Sequence, residues 1–304
     1  MSLLSRRCIF FVLIATIFSC KFKEEDMHNT SFKKVKGIYY TEVRRSFDSG
    51  LAFNKYGYQL SSIWRLMFYS DRYASVYNPD KNIFLKFPVT LDHDSIFNIS
   101  GAWLKALQVT KDSLKLQVLQ VKGKTIYWAR SNVYMTFYAD NYIKNVLHKD
   151  TVDLRKPQRK DSLFIMKRIA LVNANSDSSF AARETAVFKS KNPLVKVAKE
   201  PVAADIMNKW DNSDEYMYPE YTITINKAYQ DFSYSFLATV DTQGQLHFQR
   251  SLIYVFPEFE KSTIRIIKGI IDGYLKLYVQ VTPGKTLQIP HNSAVTLNVI
   301  GKKG

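Results

Sequence analysis

The segment WRLMFYSDRYASVYNPDKNIFLKF, residues 64–87, contains three short runs rich in Tyr, Phe, Val and Ile. Turn-forming residues separate the runs, at Ser70-Asp71 and at Asn78-Pro79-Asp80. Aromatic and β-branched residues favour strands, whereas Asn, Asp, Ser and Pro favour turns. The segment therefore predicts three consecutive antiparallel strands joined by short turns.

The same pattern extends to both sides of this segment. Runs of similar composition occupy residues 38–43, 114–121 and 125–130. Leu114 and Leu116 alternate with polar residues, as in a strand that is buried on one face. We therefore predict a mainly β fold, in which residues 36–150 form an antiparallel meander, either a small barrel or a sandwich.

The C-terminal residues 216–304 show a pattern in which one helix interrupts the strands. Phe232, Tyr234 and Phe236 alternate with polar residues, and Asp241-Thr242-Gln243-Gly244 predicts a turn. Apolar residues at helical spacing follow Pro257. The predicted elements are strands over 232–240, 245–254, 274–281 and 294–300 and a helix that ends near Gly273. We therefore predict an α+β domain with the order β-β-α-β-β.

Residues 151–215 are less regular than either flank. They contain three prolines and one strong apolar run, residues 163–172. A short helix is predicted over 202–210, just after Pro201. We interpret this stretch as a connector with a short strand and a helix, and the domain boundary lies somewhere within it.

The first twenty residues have the order of an export signal. Arg6 and Arg7 precede the apolar run Cys8–Ser19, which at about 12 residues is shorter than the roughly 20 that span a bilayer. Ile17-Phe18-Ser19-Cys20 resembles the lipobox of bacterial lipoproteins, although Phe18 is bulkier than usual. We expect a signal peptide over 1–19, a lipid on Cys20 and a flexible tether over 20–35. A plain cleaved signal or an uncleaved anchor is the alternative.

The N-terminus also indicates a location. Lys23-Glu24-Glu25 resembles the tag that sends some Bacteroidota lipoproteins to the cell surface, and a solvated tether is the alternative reading. Cys8 and Cys20 are the two cysteines of the chain, so the processed protein would have no thiol except the lipidated one. We expect an outer-membrane lipoprotein that faces the periplasm or the surface, without disulfides or Cys-ligated metal.

Four tripeptides match the Asp-Ser/Thr-aliphatic pattern that resembles the acceptor sites of Bacteroidota O-glycosylation. The candidate acceptors are Ser95, Ser113, Thr151 and Ser162. Asp and Ser also open turns before strands, so ordinary turn sequences produce the same pattern. Both interpretations remain open at this point.

Three motifs in residues 218–304 occur together in a known family. Tyr218-Pro219 precedes the predicted strands, Val240-Asp241-Thr242-Gln243-Gly244 forms the hairpin, and Gly284-Lys285-Thr286-Leu287 leads into the last strand. With the helix between them, they resemble the C-terminal domain of TonB-type energy transducers. The chain differs because it has a lipoprotein signal in place of a membrane-spanning anchor, lacks the long Pro-rich segment, and places Tyr218-Pro219 far from the first predicted strand. The resemblance implies a fold and not energy transduction.

The chain is strongly basic, with 43 Lys and Arg against 27 Asp and Glu and a net charge of +16. In a cytosolic protein this charge would favour nucleic-acid binding. Because export is expected and the cations are spread along the chain, we expect no nucleic-acid partner. A basic face toward anionic lipopolysaccharide, glycan or membrane is one interpretation, and a solubilising surface is the other.

No catalytic motif is apparent. Gly123-Lys124-Thr125 and Gly284-Lys285-Thr286 lack the first glycine of a P-loop, and the five histidines show no metal-ligand spacing. Asp92-His93-Asp94 is the best acidic cluster, either as a cation or base site or as a loop that caps its own backbone. We predict no cofactor and no metal.

Tryptophan supplies the remaining candidate. We expect Trp64 and Trp128 to lie in the core and Trp210 to be exposed as a platform on which a sugar ring could stack. The sequence therefore favours a non-enzymatic binding module of the cell envelope, with a protein, glycan or lipid as its partner. The alternative is an envelope hydrolase of glycan or peptide whose carboxylates meet only in the fold.

Overall fold

The computed structural model describes residues 30–175, 179–201 and 213–304, and within them the protein is mainly β. The strands of the first part are β1 (Tyr39–Phe47), β2 (Arg65–Ser70), β3 (Tyr73–Asn78), β4 (Ile83–Leu91), β5 (Ile96–Ile99), β6 (Ala102–Val109), β7 (Ser113–Val118), β8 (Val121–Lys122), β9 (Thr125–Ile126) and β10 (Val133–Ala139). Eight of them form a closed antiparallel barrel in the order β1-β10-β7-β6-β5-β4-β3-β2. The predicted meander is confirmed, and of the two alternatives it is the barrel.

The barrel interior is filled by side chains. Tyr40, Phe68, Phe97 and Phe137 are fully buried together with aliphatic residues from the other strands. An eight-stranded barrel is just wide enough for side chains to fill it, so a packed interior is the expected state. The interior is a core and supplies the stability of this part.

The chain enters this core before β1. Phe32 is fully buried and stacks on Phe68, with ring centroids 3.8 Å apart, and Val35 at the end of a short 3-10 turn is buried too. Residues 32–35 are therefore part of the fold, which corrects the C-terminal end of the flexible tether expected over residues 20–35. Aromatic stacking in the barrel outweighs the charged character of the neighbouring lysines, which remain exposed.

Residues 125–130 differ from the predicted strand. β9 has two residues, and a 3-10 turn, Trp128–Arg130, follows it. The Trp128 side chain is 53% exposed, with the Lys105 ammonium 5.4 Å from its ring centroid, so the prediction of a core position for Trp128 is wrong. The turn carries the ring away from the barrel. Trp64 is half-buried and packs against the barrel core, as expected.

The connector is mostly helical. Its elements are α1 (Asp140–Asn145), α2 (Thr151–Arg155), α3 (Arg159–Ala174), β11 (Val187–Ser190) and β12 (Val195–Lys199). The apolar run 163–172 lies in α3, where Ile165, Ile169 and Val172 share the buried face. The helix predicted over 202–210 lies outside the described residues.

A buried ion pair fixes the start of α3 against the barrel. Asp161 has no exposed side-chain surface and accepts two hydrogen bonds from the Arg44 guanidinium, at 2.7 and 3.0 Å. It also accepts the backbone N–H groups of Ala52 and Gln158. Asp161 therefore caps its own helix and connects it to β1.

The C-terminal part combines one sheet with one long helix. Its elements are α4 (Asp214–Met217), β13 (Glu220–Ala228), β14 (Phe232–Val240), β15 (Leu246–Ser251), α5 (Pro257–Ile270), α6 (Lys276–Tyr278), β16 (Val279–Thr282), β17 (Lys285–Thr286), β18 (Ile289–Pro290) and β19 (Ser293–Lys303). The sheet order is β12-β13-β19-β14-β15, and β13 runs parallel to β19. The α+β character is confirmed. Because β12 belongs to this sheet, the connector shares its core with the C-terminal part.

Two elements differ from the predicted order. β13 was not predicted, although it begins directly after Tyr218-Pro219 and alternates buried Tyr221, Ile223 and Ile225 with more exposed residues. Gly273 does not end the helix. A π-helical turn over Ile271–Leu275 continues the helix into α6, and Leu275 extends the buried face of the helix. As a result β16 is short and pairs with β11 instead of with the main sheet.

No helix in the part of the chain that the structure describes is both long enough and apolar enough to cross a membrane.

Candidate functional site

An exposed aromatic cluster covers the outer surface of strands β1 to β4. In the barrel, Tyr40, Leu66 and Ala74 point inward, so the residues that alternate with them point outward. We use the name aromatic face for outward residues that form two neighbouring contact groups, one of Tyr39, Arg65, Tyr77 and Phe84 and one of Tyr69, Tyr73 and Lys86. Tyr39 and Tyr73 are each 45% exposed, so broad ring surfaces are open to solvent.

Two cations lie over the rings of this face. The Lys86 ammonium is 4.4 Å from the Tyr73 ring centroid and 5.4 Å from that of Tyr69. The Arg65 guanidinium is 5.4 Å from the Tyr77 centroid and 5.5 Å from that of Phe84. Such distances allow cation–π attraction, which is worth about 0.5–1 kcal/mol at exposed sites. The rings are therefore held in fixed positions next to positive charge.

The two cations differ in their neutralisation. Arg65 donates to the Asp140 carboxylate at 3.1 Å and to the Thr41 hydroxyl at 3.2 Å. Lys86 has no carboxylate partner among residues 30–175, 179–201 and 213–304. The Lys86 end of the aromatic face therefore carries a net positive charge that a ligand could neutralise.

A buried hydroxyl lies on the same outer surface of the barrel, on strand β3. Ser75 pairs with Met67 and Lys86 across the strands, so its side chain is on the outer surface of the barrel. It is nevertheless fully buried, and its Oγ has no hydrogen-bond partner in the described structure. An unpaired buried hydroxyl costs about 1–3 kcal/mol, which makes Ser75 an unfavourable residue for stability alone.

A second site is a cleft of about 720 Å³ beside the β14–β15 hairpin, which we call the polar cleft. It is lined by Asn173, Asp241, Thr242, Gln243, Gln245, His247, Phe248, Gln249 and Asn292. Its volume is in the range of small-molecule sites. Among the described lining residues, the polar cleft therefore offers many side-chain donors and acceptors and the carboxylate of Asp241.

That carboxylate is fixed by its neighbours. Asp241 Oδ2 is 2.8 Å from His247 Nε2, and Oδ1 accepts the backbone N–H groups of Gln243 and Gln245. Burial raises the pKa of Asp241, but the hydrogen bonds from His247, Gln245 and Gln243 outweigh burial and lower the pKa below its usual value. Asp241 is therefore ionised at neutral pH and orients the His247 ring.

A third cavity, of about 590 Å³, lies between the barrel loop at Tyr56 and the C-terminal sheet, and we call it the junction cleft. Its described lining residues include the carboxylate of Asp214, whereas the polar cleft contains that of Asp241. Hydrolysis of a glycosidic bond ordinarily requires two carboxylates that flank one bond. Neither set of described lining residues brings two carboxylates together.

A hydroxyl–imidazole pair lies inside the C-terminal part. His291 donates from Nδ1 to the Asn292 carbonyl, so Nε2 accepts from the Thr286 hydroxyl at 3.0 Å. The His291 ring is fully buried and stacks on Phe180, and burial lowers the pKa of this histidine. Since Thr286 is buried as well, the pair packs the interior and is not accessible to a substrate.

The residues predicted from sequence are scattered. Ser95 is buried, with 4% exposure; Ser113 begins β7 and its hydroxyl lies 3.1 Å from that of Thr110; Thr151 and Ser162 are half-buried in α2 and α3. Cys20 and the candidate platform Trp210 lie outside the described residues. The structure thus places the four candidate acceptors at separate positions and does not gather them into one site.

The Asp92-His93-Asp94 triplet forms an exposed turn between β4 and β5. His93 Nδ1 is 3.0 Å from Asp92 Oδ1, and this hydrogen bond raises the pKa of His93. Within the described ranges, no three His, Cys, Asp or Glu side chains are placed to hold a metal ion. The triplet is therefore an exposed turn in which Asp92 and His93 form a local hydrogen-bonded pair.

Sequence reasoning missed both the aromatic face and the polar cleft. The strands of residues 64–87 were predicted, but aromatic residues occur at both alternating sets of positions, so the pattern did not reveal which set is exposed. The Asp241–His247 contact follows from the predicted hairpin, because a turn at 241–244 brings the two strands together. Aligning the two predicted strands across this turn, which places Asp241 near His247, would have indicated the contact.

Comparison of the chain with known protein families, with curated proteins and with solved structures finds no match. The function is therefore argued from the described residues.

Proposed function

We propose that this protein is a non-enzymatic lipoprotein of the bacterial cell envelope whose aromatic face binds an anionic glycan. Lipid on Cys20 would hold the chain at the outer membrane. The observation that supports this proposal is the set of exposed Tyr rings next to Lys86, whose charge is not neutralised within the described structure. The aromatic rings and the ammonium group are complementary to the apolar face and the carboxylate of an acidic sugar.

The rings supply the apolar part of such recognition. The C–H groups of a pyranose ring form a flat apolar surface, which packs against an exposed aromatic ring with little loss of side-chain entropy because Tyr has few rotatable bonds. Tyr39, Tyr69 and Tyr73 present rings on adjacent strands. An extended chain of sugars could therefore contact several rings at once.

The cations supply the preference for acidic sugars. Lys86 lies between Tyr69 and Tyr73, so a sugar stacked on either ring would place a carboxylate near the ammonium. The net charge of +16 attracts polyanions over a longer range and increases the rate of encounter. A neutral glycan would make the stacking contacts without this charge pair.

The test is affinity electrophoresis of the full-length protein in gels that contain alginate, a polyuronate, or pullulan, a neutral glucan. We expect retardation by alginate alone. Tyr73→Ala and Lys86→Ala should each weaken the alginate affinity by about tenfold, which corresponds to roughly 1.4 kcal/mol. This magnitude is that of one stacking or charge contact.

Matched controls separate this site from general charge. Lys196→Ala removes an exposed lysine from β12, and Tyr254→Ala removes an exposed tyrosine from the C-terminal part. Both should bind alginate as the wild type does. Equal losses in all four variants, or equal retardation by pullulan, would show that the aromatic face is not the site.

A further inference from the structure

We infer that the polar cleft is a separate binding site for a neutral saccharide. It goes beyond the proposed function, because the polar cleft shares no residue with the aromatic face. The charge and the hydrogen-bonding groups of the cleft both fit such a ligand.

The charge of the polar cleft is unlike that of the protein as a whole. The chain contains 43 Lys and Arg among its 304 residues, yet none of the lining residues that the structure describes is Lys or Arg. A site for an acidic ligand would use the cations that the protein has in excess. Their absence from this lining, next to one ionised Asp, favours a ligand without negative charge.

The lining residues supply donors and acceptors in equal measure. Five of them carry side-chain amides, from Asn173, Gln243, Gln245, Gln249 and Asn292. Each amide offers an N–H₂ donor and a carbonyl acceptor, which is the complement of neighbouring sugar hydroxyls that both donate and accept. Sugars are dense in such hydroxyls, so this set of groups fits a saccharide.

Asp241 and His247 extend the hydrogen-bonding set. When His247 is neutral and donates from Nε2 to Asp241, its Nδ1 is an acceptor for a sugar hydroxyl. The His247 side chain is 51% exposed, so a ligand can reach it. Phe248 also lines the cleft, while its ring packs against the C-terminal core with its centroid 6.1 Å from that of Phe236.

The experiment uses fluorescently labelled full-length protein on an array of immobilised neutral and uronate-containing oligosaccharides. We expect at least one neutral oligosaccharide to be bound. Gln249→Ala and Asn173→Ala should each reduce that binding at least fivefold, whereas Gln230→Ala, which removes an exposed amide at the β13–β14 turn, should leave it unchanged. Circular dichroism of each variant confirms that it is folded.

The outcomes separate the two sites. Tyr73→Ala should retain the neutral oligosaccharide, and Gln249→Ala should retain alginate. Absence of binding to every neutral oligosaccharide, or unchanged binding by both cleft variants, would overturn the polar-cleft inference and leave the aromatic face untouched. Loss of alginate binding with retention of the neutral sugar in Tyr73→Ala would support both.

Discussion

Ser75 illustrates a conflict between stability and binding at the scale of one residue. Its hydroxyl is buried on the outer surface of β3, next to Lys86, without a hydrogen-bond partner in the described structure. Alanine has nearly the same size and leaves no polar group unpaired. The hydroxyl is explained if a bound sugar displaces some of the side chains that cover it and forms a hydrogen bond with the Ser75 Oγ.

We predict that Ser75→Ala raises the free energy of unfolding by about 1 kcal/mol, because it removes the cost of an unpaired buried hydroxyl. Urea denaturation of the free protein measures the change. The same variant should bind alginate more weakly than the wild type. A loss of stability in Ser75→Ala would mean that the hydroxyl has a partner within the folded chain.

Residue patterns could predict only part of the two sites. Aromatic residues alternate on both faces of strands 64–87: Phe68 and Phe87 pack inward, whereas Tyr69 and Tyr73 point outward. Period-two alternation distinguishes faces only when one of them is polar. Closure of the barrel determines which set is exposed, and closure depends on pairing between β1 and β10, which are far apart in sequence.

At the scale of elements, Asp161 connects α3 with the barrel. Burial would raise the pKa of this carboxyl, but the bonds from Arg44, Ala52 and Gln158 prevail and lower it. A carboxyl with a lowered pKa in the folded state stabilises the protein above its unfolded pKa of about 3.9. This contribution is lost as the pH falls through the lower folded value.

We predict that Asp161→Asn lowers the free energy of unfolding by about 3 kcal/mol near neutral pH, because Arg44 loses its charge partner in a mostly buried place. The difference from the wild type should begin to shrink at pH values below about 3.9, where Asp161 of the unfolded chain becomes protonated, and should be lost below the lower pKa of the folded state. Urea denaturation across this range measures both effects.

Asp153→Asn is the control for this prediction, since it removes an exposed carboxylate from the neighbouring helix α2. Its stability should equal that of the wild type. A pH-independent difference between Asp161→Asn and the wild type would contradict the ion-pair account of how α3 is attached.

The elements themselves were predictable where turn residues mark their ends. The barrel strands between residues 64 and 91 and the β14–β15 hairpin have clear turns on both sides. The pattern does not reveal β13 although its alternation is regular, and it predicts a helix end near Gly273, whereas the helix continues from α5 through Ile271–Leu275 into α6. Glycine is a common helix end, but Leu275 packs with Ile267, Ile270 and Ile271, and this burial outweighs the local preference.

As a whole molecule, the proposed protein is a lipid-anchored chain with two separate sugar sites. The aromatic face of the barrel would bind an acidic glycan, and the polar cleft beside the C-terminal sheet would bind a neutral saccharide. The excess positive charge then acts on polyanions at long range, while the described residues of the cleft include no Lys or Arg.

The anchor gives a prediction of its own. Cells that express the wild-type chain should incorporate labelled palmitate into it and retain it in the membrane fraction, and Cys20→Ala should lose both, because no other cysteine follows the apolar run. Protease treatment of whole cells then reports which membrane side the protein faces. Palmitate incorporation into Cys20→Ala would refute the lipobox interpretation.

The most direct test of glycan binding by the aromatic face is hydrogen–deuterium exchange of the full-length protein with and without alginate. The aromatic face predicts slower exchange confined to the start of β1 at Tyr39 and to residues 65–88, which form β2, β3 and most of β4. Protection of these strands with no change at the β14–β15 hairpin is the expected result. Protection elsewhere, or none at a concentration that retards the protein in the gel, would contradict the assignment of the glycan site to the barrel.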